Sequence, residues 1–142
     1  MSAGEARVRR CKERDVPAVL ALWEQARSGH ASTADRAEDV ERLVEDSPAA
    51  LLIAERDGEI VGALIAAWDG WRGNMYRLAV RDGCRHEGIG IALTRAGEEY
   101  LRSRGVRRVT ALVAFEDETA AGFWEAAGYP QDREIGRRVR NI

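Results

Sequence analysis

The chain's clearest chemical segment is Leu78-Ala79-Val80 followed by Arg85-His86-Glu87-Gly88-Ile89-Gly90-Ile91-Ala92. An apolar strand ends, a short polar loop follows, and a glycine-containing turn opens a helix. The first N–H groups of a helix lack intrahelical partners and stand at the positive end of its dipole. Such an end receives phosphate. Gly88 and Gly90 place no Cβ between backbone and anion, and Arg85 adds a positive charge at the rim. The bland alternative is a turn punctuated by glycines, with Arg85 solvated. Two other phosphate motifs do not fit. The P-loop requires a Lys after its second glycine, and none follows here. The dinucleotide fingerprint requires a third glycine where Leu93 stands, and a parallel βαβ unit around it.

A second segment follows a strand at Val109 to Phe115. It runs Asp117-Glu118-Thr119-Ala120-Ala121-Gly122-Phe123-Trp124-Glu125-Ala126-Ala127-Gly128-Tyr129. Ala120, Phe123, Trp124 and Ala127 have the spacing of one buried helix face. Taken with the first segment, it resembles the GNAT superfamily of N-acetyltransferases. That family carries L-x-V, then [RQ]-x-x-G-x-[GA] opening a helix, then N-x-x-A-x-x-[FLY]-[YW]-x-x-x-G-[FY]. Both motifs stand here in order, with Asp117 in place of Asn. Trp68-Asp69-Gly70-Trp71-Arg72-Gly73 is similar to the D-G-x-R-G segment of one small bacterial subgroup of single-domain members.

The resemblance implies acetyl-CoA as cofactor and an amine as acceptor. The strand of Leu78 to Val80 is expected to splay from the strand of Ala111 to Ala114, with the pantetheine arm between them. Leu78, Ala79 and Val80 would contact that arm through backbone. Arg85, His86, Glu87, Gly88, Ile89, Gly90 and Ile91 would wrap the pyrophosphate, and Phe123 and Trp124 would pack near the thioester. Asp117 would accept a pantetheine amide N–H or cap its helix. Carbonyl polarisation would come from a strand amide at Ala79 or Val80.

Many members place a Tyr acid where Trp124 stands, and some a Glu base where Asn74 stands. Indole is no acid near neutral pH, and an amide is no base. Asn74 and Tyr76 are therefore the catalytic candidates, with Tyr76 orienting a water or acting as acid. Tyr76 would share a strand face with Asn74 and Leu78. His30 is a lone loop base candidate. Without a strong base the easier acceptor is a low-pKa amine. A Lys amine of pKa about 10.4 is neutral roughly once in a few thousand molecules at pH 7; an α-amine near 7.7–8.0 is neutral about a tenth of the time. Cys11 and Cys84 have no His nearby in sequence, so a covalent acyl-enzyme is not expected.

Local patterns supply the elements that must position these groups. Ala6 to Cys11 reads as a strand. Asp15 is the expected N-cap of a helix with Pro17 in its first turn and Val16, Val19, Leu20, Trp23 and Ala26 on one face. A second helix spans Ala34 to Glu45, stopped by Ser47-Pro48. Ala49 to Glu55, Ile60 to Trp68 and Asn74 to Val80 form consecutive antiparallel strands joined at Asp57-Gly58 and Asp69-Gly70. The continuous apolar run Ile60 to Trp68 implies burial on both faces. Trp68 and Trp71 would wall the acceptor site or pack on the second helix. A helix from Gly88 ends at Gly105. Glu134 to Val139 reads as a last strand, and the family resemblance makes it a candidate exchange edge for a homodimer. The order β-α-α-β-β-β-α-β-α-β is an α/β (α+β) fold, a mixed, mostly antiparallel sheet flanked by helices. Residues 1–142 would form one domain.

Composition narrows the rivals. The 142 residues are 45% hydrophobic and 32% charged, with net charge −2. This is globular rather than disordered, and without the basic excess of a nucleic-acid binder. Two Cys and two His offer no zinc set. Met1 to Arg10 has no apolar core of a signal peptide, and no run is long enough for a membrane span. A cytoplasmic protein is expected, and the Arg and Ala bias suggests a high-GC bacterial genome. Two alternatives to the enzyme remain. One is a catalytically silent CoA-binding module. The other is an ATP- or NAD-binding domain, which the antiparallel start of the sheet disfavours.

Overall fold

The computed structural model describes residues 4–26, 35–46, 49–113 and 117–142. The elements are β1 (Arg7–Arg10), a 3-10 turn (Glu13–Asp15), α1 (Val16–Gln25), α2 (Ala37–Asp46), β2 (Ala50–Arg56), β3 (Glu59–Trp68), β4 (Gly73–Val80), α3 (Ile89–Ser103), β5 (Val109–Ala111) and α4 (Glu118–Ala126). The five strands lie in chain order in one sheet. The first four pair antiparallel, and β5 joins β4 in parallel.

The sheet separates two cores. Val16, Val19, Leu22, Trp23 and Val40 of α1 and α2 cover one face, packing on Leu51, Ile53 and Ile65. Ile89, Leu93, Leu101 and Trp124 of α3 and α4 cover the other, packing on Leu52, Leu64 and Met75. β3 is buried on both faces from Ile60 to Ala66, as its apolar run implies. The β2–β3 hairpin turns on Asp57 (φ 52) and Gly58 (φ 79). Two left-handed residues match the twist of the strands they join.

Glycines let α3 sit close to the sheet. A Cβ on Gly62 would stand 2.9 Å from both Ile89 Cγ2 and Leu93 Cδ1, and one on Gly97 would stand 2.8 Å from Met75 Cε. The first turn of α3, which carries the phosphate motif, is thereby seated on β3.

Two expectations are corrected. Asp15 holds the expected N-cap position of α1, but its side chain makes no cap bond to that helix. It takes the Lys12 N–H at 2.8 Å and two Arg9 bonds at 2.8 and 3.1 Å. Residues 134–139 form no strand. Ile135, Arg137 and Val139 would line one strand face, and the charged Arg137 between the two apolar residues leaves no continuous apolar face to bury; Ile135 and Val139 are 74% and 76% exposed. The expected exchange edge is therefore not a strand here. No helix among the described residues is long and apolar enough to cross a membrane.

Asp15 gives the fold an acid-sensitive point. The Arg9 guanidinium holds its buried carboxyl below the usual range. A depressed folded pKa contributes stability that is full above the unfolded value, about 3.9, and lost as pH falls through the folded one. Asp15→Asn should destabilise by about 1–3 kcal/mol at pH 7. It should also flatten the acid limb of a melting-temperature-against-pH curve below about pH 4. Parallel limbs for the two proteins would exclude Asp15 as the titrating group.

Candidate active site

The sheet opens between β4 and β5. Gly73, Asn74 and Met75 pair with Val109, Thr110 and Ala111, and the last link is the Leu112 N–H to Met75 O at 3.1 Å. From Tyr76 to Val80, β4 has no strand partner on that side among the described residues. On that register Leu78 to Val80 would stand opposite residues 114–116, so the expected splay falls partly outside the described residues; 112 and 113 no longer belong to the strand.

A bulge interrupts β4 within this stretch. Ile65 faces Tyr76 and Ala63 faces Ala79, so Arg77 and Leu78 together oppose Leu64. Arg77 is left-handed, at φ 60. Beyond the bulge, the Arg81 N–H donates to Val61 O at 2.8 Å. Backbone groups alternate along a strand, so Ala79 also turns its N–H and C=O to β3, while Leu78 and Val80 turn theirs to the open side. Of the three residues expected to offer backbone to the arm, Leu78 and Val80 turn theirs away from β3 and Ala79 does not. The bulge also reverses side-chain parity. Tyr76 packs on the α1 face and Leu78 on the α3 face. Leu78 thus does not share a face with Asn74 and Tyr76, although those two share one with each other.

The open edge leads into the phosphate turn. Gly88 is the N-cap of α3, at φ 83, and supplies no side-chain cap. The first helical bond of this turn runs from the Ala92 N–H to Gly88 O at 3.0 Å, which leaves the amides of Ile89, Gly90 and Ile91 without intrahelical acceptors. Nothing lies within 4 Å of where a Gly88 Cβ would be, so this cradle fits the pyrophosphate of CoA. His86 is also left-handed, at φ 65. Arg85 is exposed, 3.3 Å from Asp82. Ile89 is buried in the core and Ile91 half-buried, so Ile89 offers only backbone. The Glu87 carboxylate pairs with Arg56 of β2, tying the turn to the sheet.

Gly90 has a different purpose from the expected one. A Cβ there would stand 3.0 Å from Phe123 Cε2. The space is filled by an aromatic ring, not left for an anion.

Helix α4 closes the α3 side. Asp117 Oδ1 accepts from the Ala120 N–H at 2.9 Å and caps the helix. Gly128 (φ 101) ends it, with Tyr129 N–H to Trp124 O at 2.8 Å and Gly128 N–H to Glu125 O at 3.1 Å. That pair of bonds is a Schellman motif, which accounts for the glycine-aromatic end of the sequence pattern. The Tyr129 hydroxyl donates to Glu98 at 2.6 Å, and Arg95 joins Glu98 to the Ala127 carbonyl. Trp124 is 5% exposed, edge-on to Phe123 and Tyr129. It belongs to the core, whereas Phe123 is half-buried beside Gly90.

On the opposite face, Tyr76 is half-buried, and burial pushes its phenol above its ordinary value. It is a proton donor at neutral pH, not a base. Asn74 stands two residues away on the same face. His30 lies outside the described residues. Cys11 is buried, which pushes its thiol up to about 11 and away from nucleophilic use. Trp68 joins the α3-side core and Trp71 is 74% exposed. Neither packs on α2.

The bulge, the Glu87–Arg56 tether and the Gly90–Phe123 contact were not anticipated from sequence. Each depends on a partner outside its own element, more than 30 residues away for the tether and the Gly90 contact; only Gly90, an otherwise unneeded glycine inside a helix, left a local trace.

Residues 16–129 match the Acetyltransferase (GNAT) family. An acetyltransferase of Pectobacterium atrosepticum is 33% identical over 122 residues, which cover 86% of each protein. Among solved structures, aminoglycoside N-acetyltransferase AAC(6')-Iy in complex with CoA aligns with a TM-score of 0.80 at 20% identity, over 99% of this chain and 98% of that one. A transcriptional regulator from Bacillus halodurans also gives 0.80, at 18% identity, over 96% and 100%. At such identities the structures speak for the fold, while the family match speaks for the sequence. With both motifs on the described cleft and the match spanning most of the chain, the protein belongs to the GNAT acetyltransferases, a family that uses acetyl-CoA.

Proposed function

We propose that the protein is an acetyl-CoA-dependent N-acetyltransferase in which the acceptor amine attacks directly within a ternary complex. The observation that carries this reading is the continuity of one surface. The Leu78 and Val80 amides, on the β4 edge that has no strand partner among the described residues, lead into the start of α3, whose N-cap glycine supplies no side-chain cap.

Acetyl-CoA supplies the activated acetyl thioester. The Leu78 and Val80 backbone groups would pair with the pantetheine arm, and the Leu78 N–H would donate to the thioester carbonyl oxygen, where negative charge develops. The amides of residues 86–91 would hold the pyrophosphate, with Arg85 at the rim. Phe123 would cover the arm. The acid-base groups are sparse. Tyr76 would hold its proton and orient a water; Asn74 would bond that water without removing its proton. With no side-chain base in the pair, an acceptor amine of low pKa is favoured.

The same sparseness favours a second reading, a CoA-binding module without turnover, since Trp124 is buried and Asn74 is an amide. Melting with acetyl-CoA, ATP and NAD, followed by thiol release across a panel of amines, separates the readings. Acetyl-CoA at about 100 times its Kd should stabilise by roughly 2.7 kcal/mol, and ATP and NAD should not match it. No shift at millimolar acetyl-CoA would sink both readings. A shift without thiol release for any amine would favour the silent module.

A further inference from the structure

We propose that Trp23 positions the Leu78 amide by holding the carbonyl of Arg77, and that the Arg77 side chain clamps Trp23 in place through Asp35. The inference rests on the acetyl-CoA reading above and deepens it.

The geometry is specific. Trp23 is 3% exposed, in the core of the α1 face. Its Nε1–H donates to Arg77 O at 3.0 Å, across 54 residues of sequence. The same Arg77 is the left-handed residue of the bulge. A branched or long side chain is strained there, and such strain persists only where the surroundings over-determine it. Three contacts do so. The indole holds the Arg77 carbonyl, the guanidinium stacks over the indole at 5.1 Å from its centre, and the guanidinium pairs with Asp35.

The link to chemistry is the peptide plane. Arg77 C=O and Leu78 N–H belong to one planar trans unit and point in opposite directions. Anchoring the carbonyl on Trp23 therefore aims the Leu78 N–H away from α1 and out of the β3 ladder. Were Arg77 O free, that plane could turn back toward Leu64, and the donor would leave the cleft. A donor fixed before the substrate arrives costs no reorganisation during reaction. Trp23, Arg77 and Asp35 are thus positioning residues, acting through the backbone.

The test is Trp23→Phe, which keeps an aromatic body and removes the N–H. The primary readout is the infrared carbonyl band of acetyl-CoA labelled with carbon-13 at the thioester carbon. In the unaltered protein the bound band should lie below that of free acetyl-CoA, because the Leu78 N–H polarises it. In Trp23→Phe most of that displacement should vanish, while free CoA, which has no acetyl carbonyl, binds within about twofold of the unaltered protein. Loss of fold would weaken CoA binding too, so it is distinguishable. Asp35→Asn, which leaves the core untouched, should reduce the displacement in the same direction by less. A Trp23→Phe protein that keeps the full displacement would overturn the inference. So would an unaltered protein that binds acetyl-CoA with an undisplaced band. Failure of acetyl-CoA to bind the unaltered protein at all would instead remove the reading on which the inference stands, and the inference with it.

Discussion

Gly88→Val is expected to abolish the stabilisation by acetyl-CoA while leaving a folded protein. The backbone at Gly88 lies at φ 83, where a branched side chain is strained, and no atom lies within 4 Å of the missing Cβ. The fold therefore loses only conformational energy, about 1–2 kcal/mol. On the proposed reading the ligand loses more, because the new side chain would compete with the pyrophosphate for the open space at the start of α3. Two effects act together: a Cβ in the anion's place, and a turn that relaxes away from its left-handed shape. Gly88→Asn separates them, since Asn tolerates left-handed backbone. The Asn protein should melt near the unaltered one yet bind acetyl-CoA poorly. Full binding by Gly88→Val, seen as an undiminished melting shift or by calorimetry, would place the pyrophosphate elsewhere.

The contrast between Gly88 and Gly90 shows what local sequence can carry. Asp57-Gly58, Gly105 and Gly128 each solve a problem within a few residues of themselves, so turn chemistry exposes them. The buried strand β3 and the amphipathic faces of α1 and α3 follow from periodicity in the same way. Gly90 solves a problem set by Phe123, and Gly62 one set by Ile89 and Leu93. Each is visible as a glycine, but its reason is tertiary. The bulge is less legible still. Nothing about an arginine inside a strand signals a left-handed residue, and the group that holds its carbonyl is a tryptophan 54 positions earlier. That one displaced residue decides which side chains of β4 share the face of Asn74 and Tyr76. The expected strand at 134–139 fails for the opposite reason. The face of Ile135 and Val139 is interrupted by Arg137, and a face without continuous apolar surface has little to bury.

Trp124 carries the largest expected loss of stability and the sharpest test of the acid position. Its indole is almost wholly buried, with ring centres 5.3 Å from Phe123 and 5.1 Å from Tyr129. Trp124→Ala should cost about 3–5 kcal/mol and lower the melting temperature by on the order of 10 °C or more. A smaller loss, below about 1 kcal/mol, would mean that the ring is not packed as described. Trp124→Tyr asks a different question, because the family resemblance puts a Tyr acid for the departing thiolate at this position. A phenol in reach of that sulfur would raise turnover by about 100-fold or more. The expected result is no such gain, since the site at 124 faces its aromatic neighbours and the α3 core. The departing thiolate, whose thiol pKa is about 8.5, leaves adequately without an acid. A large gain in thiol release by Trp124→Tyr would show that this side chain reaches the thioester, and that the native indole holds the enzyme below the rate its fold permits.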